Sequence, residues 1–256
     1  MIIITAPKDF SFFSTHPPLD LGKDFPGWGV EWNRTEERVK FDNPTLKIPG
    51  GKFYAAFSEP GLSPLTIKMI TTNLDLKFLD KTLDRIGVIC TEADGSARPL
   101  LISKAYNPDW SRKARLTKLS SSTSTKFNTI DIEFSLIDNL WYGPIKTQVW
   151  DGPIDLSTSV REYSLNRAPS DFILDISGNV KTLSLTTSSI DGKPLSYHKN
   201  NINGSYKVET ENNIMWINGA SHLSDLPPNF RLNKALRISG NGTANKMTLT
   251  YRETKI

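Results

Sequence analysis

The side chains best able to bind a metal, attack a carbonyl or carry a proton are three histidines, one cysteine and 27 carboxylates among 256 residues. His16, His198 and His222 stand far apart, and none belongs to an H-x-H, H-E-x-x-H or C-x-x-C spacing. A metal site would have to gather its ligands from distant segments. A histidine in a polar segment is more simply a surface residue. Cys90 closes the apolar run Ile86-Gly87-Val88-Ile89-Cys90, which suits a small buried hydrophobe better than a nucleophile. As the sole cysteine it also excludes an internal disulfide and a cysteine-rich zinc site. Gly27-Trp28-Gly29 begins like a dinucleotide fingerprint, but Trp32 stands where the third glycine belongs and no helical pattern follows. No Walker loop and no G-x-S-x-G elbow occurs.

Carboxylates remain. A β-sandwich glycosidase would set two acids across a cleft with aromatic platforms. Trp110, Trp141, Trp150 and Trp216 are candidate platforms, and Asp109 and Asp151 adjoin tryptophans. Adjacency alone carries little catalytic information, and Trp141 follows an alternating strand, where packing is the simpler role. No catalytic residue, cofactor or metal is assigned, and the chain is expected to be non-enzymatic.

The formal net charge is +4, with lysines and arginines scattered among acids. Nucleic-acid readers concentrate positive charge on one face or run, so sequence-specific DNA binding is not expected. No stretch approaches the roughly 18 apolar residues of a membrane span. Pro7, Lys8 and Asp9 interrupt the apolar start before a secretory core forms, so synthesis in a cytoplasm is expected. The sequons at Asn33, Asn203 and Asn241 then carry no glycan, and the Asn-Gly pairs read as turns.

The elements that position these residues are mostly strands. Residues 1–62, with Pro17-Pro18, Phe25-Pro26-Gly27-Trp28-Gly29 and Pro49-Gly50-Gly51, read as short strands and long connections. Lys52–Phe57 and Leu65–Thr71 are expected strands, the second with Leu65, Ile67 and Met69 on one face. Leu76, Leu79, Leu83, Ile86 and Ile89 or Cys90 recur at helical spacing and predict one helix over 74–90. Asn73 is the expected cap, with Asp75 at the positive end of the dipole. Pro99–Tyr106 and Arg112–Leu119 follow as strands, the latter with Ala114, Leu116 and Leu119 near one face. In Thr129–Ile137, Ile130, Ile132, Phe134 and Leu136 alternate with Asp131, Glu133 and Ser135. Ser120–Thr125 is the expected hairpin tip.

Trp150-Asp151-Gly152-Pro153 is turn-like and marks the expected boundary between domains 1–150 and 151–256. Beyond it, Phe172, Leu174 and Ile176, then Leu183 and Leu185, then Met247, Leu249 and Tyr251 alternate. Turns are expected at Ser177-Gly178-Asn179, Asp191-Gly192, Asn203-Gly204, Asn218-Gly219 and Gly240-Asn241-Gly242. This pattern predicts an antiparallel sandwich without a further helix.

Three stretches carry a family resemblance. Ser63-Pro64-Leu65-Thr66-Ile67-Lys68 runs into the helix and out to Arg98-Pro99-Leu100-Leu101-Ile102. Ile130-Asp131-Ile132-Glu133-Phe134 leads to the aromatic exit Leu140-Trp141-Tyr142-Gly143. A strand begun at Val208 reaches Ile214-Met215-Trp216-Ile217-Asn218-Gly219, then Phe230-Arg231-Leu232-Asn233, Leu236-Arg237-Ile238-Ser239-Gly240 and a closing strand to Tyr251. Over residues 63–256 this pattern resembles the distal tail proteins (Dit) of long-tailed bacteriophages, the siphoviruses. It departs from the family at Asn233-Lys234-Ala235, where a Pro-Gly-Asn-like turn is common.

The resemblance implies a mainly β fold class: an N-terminal β-sandwich with one α-helix, and a C-terminal galectin-like, jelly-roll β-sandwich. It implies a structural protein of the virion, at the distal end of the tail. Such a protein closes a homohexameric ring that joins the tail tube to the baseplate or tail tip and lets DNA pass. The implied partners are further copies of the chain, the tail tube protein, the tail-associated lysin or tail-tip protein, and receptor-binding or baseplate proteins. A closed ring needs head-to-tail contacts. The expected contact residues are Ser120, Ser121, Ser122, Thr123, Ser124 and Thr125, whose hairpin can add a strand to a neighbour, with Trp141 and Tyr142. The alternative is a carbohydrate-binding module for a host cell-wall saccharide, with Trp216 as the stacking residue; a hydrolase is a third reading.

Overall fold

A computed structural model describes the backbone of residues 2–8, 11–32, 40–41, 45–47, 53–55, 60–61, 65–104, 106–158, 160–163, 168–188, 193–227 and 230–255. Asn33, Pro49-Gly50-Gly51, Ser63-Pro64, Asp191-Gly192 and both ends of the expected strand Lys52–Phe57 lie outside the described residues. The middle of that strand is Phe53–Ala55, paired with Thr45–Lys47.

The chain forms two compact units, Met1–Lys8 with Ser14–Trp141, and Asp9–Phe13 with Tyr142–Ile256. The division falls inside the strand Asn128–Asp155. Trp150-Asp151-Gly152-Pro153, expected to turn at the boundary, is instead part of that strand.

In the first unit, alternation sets the packing. Leu65, Ile67 and Met69 pair directly with Phe134, Ile132 and Ile130 across an antiparallel ladder, and all six side chains are buried. The strand Ile2–Thr5 pairs with Pro99–Lys104, which pairs in turn with Asn107–Thr123. Ile2, Ile4, Leu100, Ile102 and Ala114 join the same core. The helix Leu76–Cys90 covers it with Leu79, Thr82, Ile86 and Cys90. Leu76, expected on the buried stripe, is 59% exposed, and Thr82 completes the inner face. The N-cap is Asp75, whose carboxylate accepts from Lys77 N at 3.0 Å. Asn73, the expected cap, stands two residues further out and accepts from Asp75 N at 2.9 Å.

The second unit is built on two long antiparallel strands, Phe172–Ser188 and Ala235–Lys255. Their inward residues change parity along the chain. Phe172, Leu174, Ile176 and Val180 are buried on one strand, then Leu183 and Leu185; Leu236, Ile238 and Ala244 are buried on the other, then Met247, Leu249 and Tyr251. The register shifts between Ser177 and Gly178 and between Val180 and Thr182. An extra residue in a ladder exchanges the faces of everything beyond it. Ser177-Gly178-Asn179 and Gly240-Asn241-Gly242 are therefore irregularities within strands, not the expected turns. The glycines serve close backbone approach: a Cβ on Gly240 would lie 2.1 Å from Thr182 O, and one on Gly242 2.2 Å from Asn179 O.

Two Asn-Gly pairs carry the positive φ angles of turns. Asn218 and Gly219, at φ 52° and 82°, join Ile214–Ile217 to Ala220–Leu223 as a two-residue hairpin. Asn203 at φ 51° precedes the strand Gly204–Glu209. Val208 lies inside that strand, which ends before Ile214–Ile217 begins, so the expected single run from Val208 is a hairpin.

Gly240→Ala should lower the stability of the second unit by about 1–3 kcal/mol, because the added methyl meets backbone that cannot yield. Hydrogen exchange should accelerate at Leu174 and Leu249 and stay unchanged at Ile67 and Ile132. Wild-type protection at Leu174 in the variant would contradict the close approach.

Candidate functional site

The residues best suited to catalysis are not brought together. His16, His198 and His222 are all exposed. Among the described residues no cluster of three His, Cys, Asp or Glu side chains can hold a metal ion. Trp28 of the Gly27-Trp28-Gly29 segment is buried and stacks on Phe78 at 5.8 Å, and a strand, Gly29–Trp32, follows it. Asp109 and Asp151 are exposed and belong to different units. Trp150 packs against the core of the second unit. Cys90 is buried, and burial pushes its thiol up from the ordinary 9.0 to about 12, with Arg98 pulling slightly the other way.

The structure instead shows polar side chains that hold the chain together. In the second unit, Phe12 N donates to Glu211 Oε2 at 2.9 Å. Arg252 donates from Nε and Nη2 to Phe12 O at 3.1 and 2.6 Å, and from Nη1 to Gly143 O at 3.1 Å. Burial lowers the Arg252 pKa and the Glu211 carboxylate opposes that. One cation and one anion thus grip both polar groups of a single residue in the segment Asp9–Phe13. Nothing in the sequence signals this, because an arginine at 252 looks like any other surface cation.

A second cluster joins Tyr197, Lys199 and Asp225. The Tyr197 hydroxyl donates to Asp225 Oδ1 and Lys199 Nζ to Oδ2 at 2.6 Å. Burial raises the pKa of Tyr197, and the hydrogen bond to Asp225 adds to the rise; burial pushes Tyr206 up to about 12. The pair Arg231–Asp171, at 3.0 Å, borders a cavity of about 270 Å³ with Thr210, Asn213 and Phe230. A separate open cavity of about 220 Å³ is lined by Asp175, Ser205, Tyr206, Lys207, Trp216 and Gly219.

Of the expected contact residues, Ser121 to Thr125 are exposed and Ser120 is half-buried. The strand Asn107–Thr123 runs through most of them, so the tip itself is Ser124–Phe127. There Ser124 Oγ accepts from Phe127 N at 3.0 Å and donates to Phe127 O at 2.8 Å. Trp141 is half-buried, with the Arg112 guanidinium 5.3 Å from its ring centre. Tyr142 is buried and offers little side-chain area for contact.

Solved structures of similar shape are phage proteins. The Dit protein of phage SPP1, described as a paradigm of the hub of the adsorption apparatus in phages that infect Gram-positive bacteria, matches with a TM-score of 0.57. That match covers 89% of this chain and 92% of the other, at 13% identity. This chain has the Dit-like β-sandwich fold. Chains of the phage p2 baseplate in its activated conformation match too. The form with Sr gives a TM-score of 0.58 at 9% identity over 100% of this chain and 97% of that one. The form with Ca gives 0.55 at 9% identity over 98% and 97%. No family model and no curated protein matches the sequence. Identity this low carries the fold and leaves individual residues to be argued from their own surroundings.

Two outcomes follow from the geometry. Arg252→Met should speed hydrogen exchange at the Phe12 amide about ten- to a hundredfold, since bonds to charged groups contribute about 1.5–3 kcal/mol; unchanged exchange would show that Arg252 does not hold the segment. Folded protein at pH 8 should resist iodoacetamide at Cys90 and react once urea unfolds it. The unfolded thiol loses its proton first, so the stability contributed by Cys90 is full below pH 9 and is lost between about 9 and 12. Rapid labelling of the folded chain would contradict the burial.

Proposed function

We propose that this chain is a distal tail protein of a phage, a structural hub without catalytic activity. Copies close into a homohexameric ring that joins the tail tube to the baseplate or tail tip, passes DNA, and anchors receptor-binding proteins. The observation that supports this best is the likeness to the SPP1 Dit chain over 89% of this chain, an extent that includes parts of both compact units.

The first unit closes the ring; the galectin-like second unit carries the passengers. Head-to-tail contacts come from the Ser120–Thr125 region, where exposed strand ends can pair with a neighbour's sheet edge. Trp141 adds an aromatic surface beside Arg112. Charge suits a conduit: lysines and arginines spread among acids would not retain a passing phosphate backbone as a basic run would.

Light scattering and negative-stain imaging of the purified chain should show a hexamer or a stacked double ring. A strict monomer at high concentration, with no rings, would overturn the reading. Ser122→Pro removes a backbone donor from the hairpin; it should raise the concentration needed for assembly about tenfold with the circular dichroism spectrum unchanged.

A further inference from the structure

Cross-strand registry in the second unit places Thr248, Asp175, Lys207, Trp216 and Ser221 in one row. Neighbours in such a row are close enough to interact. The alternate positions Leu174, Tyr206, Val208 and Met215 are in the core, so the row faces outward. Asp175 and Ser221 are exposed, and Lys207 and Trp216 are half-buried. Ile217 packs against the core while Trp216, one residue earlier, turns away from it.

The surroundings of Trp216 are those of a site. Lys207 Nζ lies 4.7 Å from its ring centre. On the opposite side in the row stands Ser221, too short to cover an indole. Gly219 leaves the space next to it open, with nothing within 4 Å of where a Cβ would be. The resulting cavity has a volume of about 220 Å³, smaller than the roughly 300–1,000 Å³ of drug-sized pockets and suited to a single small ring.

Its chemistry is mixed in a particular way. The indole offers an apolar flat surface. Asp175 accepts hydrogen bonds, Lys207 donates them, and Ser205 does both. The charges of Asp175 and Lys207 cancel, which disfavours a strongly anionic ligand. A pyranose matches: one face of C–H groups and a rim of hydroxyls that donate and accept.

We propose that this cavity is a saccharide subsite, holding one neutral pyranose ring of a glycan against Trp216 with its hydroxyls on Asp175, Ser205 and Lys207. The proposal goes beyond the tail-hub reading, because the site lies within one copy of the chain. In a ring of identical copies, weak single-site binding would be multiplied by avidity.

The test is saturation-transfer NMR on the full chain with methyl β-galactoside, methyl α-glucoside and N-acetylglucosamine as probes. At least one should receive saturation, strongest at its ring C–H protons. Trp216→Ala should weaken binding roughly tenfold or more, and Trp216→Phe should restore part of it. Asp175 is exposed, so Asp175→Asn should leave the fold intact and still weaken binding. No transfer to any of the three sugars, or transfer that survives both Trp216→Ala and Asp175→Asn, would overturn the proposal.

Discussion

The phase of alternation along an antiparallel strand governs this molecule. Each strand has two faces, and one extra residue exchanges them. In Phe172–Ser188 an unbroken phase would turn Thr182 and Ser184 into the core and Leu183 and Leu185 into water. In Ala235–Lys255 it would bury Lys246, Thr248 and Thr250 in place of Met247, Leu249 and Tyr251. The register shifts near Gly178 and Val180 prevent this. They let both strands keep apolar side chains inside on either side of the shifts. The outward row that carries Trp216 exists because Leu174, Val208 and Met215 on the same three strands hold the inward phase.

Polar groups then hold what apolar packing leaves loose. The segment Asp9–Phe13 belongs to the second unit, and its Phe12 side chain is buried. Glu211 accepts from the Phe12 N–H and Arg252 donates to the Phe12 carbonyl. Tyr197 and Lys199 do the same for Asp225, which keeps a carboxylate beside a buried tyrosine supplied with donors. Buried polar atoms are tolerable where such partners exist and costly where they do not.

Cys90 lies on the buried face of the helix, the histidines are dispersed on the surface, and Trp28, Trp141, Trp150 and Trp216 have different surroundings. What is presented outward is a long hairpin, sheet faces and the row around Trp216, which are means of contact. The likeness to phage hub and baseplate chains concerns the same overall strand scaffold.

Much of that scaffold was legible in the chain by itself. The buried faces Leu65-Ile67-Met69 and Ile130-Ile132-Phe134-Leu136, the helix Leu76–Cys90 and the Asn218-Gly219 turn all follow from local periodicity and backbone sterics, which neighbouring residues set on their own. Tertiary structure decided the rest. Gly240-Asn241-Gly242 reads the same whether it turns the chain or lets another strand pass close, and only the partner strand Phe172–Ser188 makes it the latter. The turn-like Trp150-Asp151-Gly152-Pro153 stays inside a strand, and the division falls earlier in that strand, at the aromatic exit Trp141-Tyr142. Arg252 meets Phe12 across a separation of 240 residues, and Trp216 acquires Lys207 and Ser221 only through registry. Contacts between distant segments depend on which strands become neighbours, and that is settled by the packing of the whole unit, not by any stretch of sequence within it.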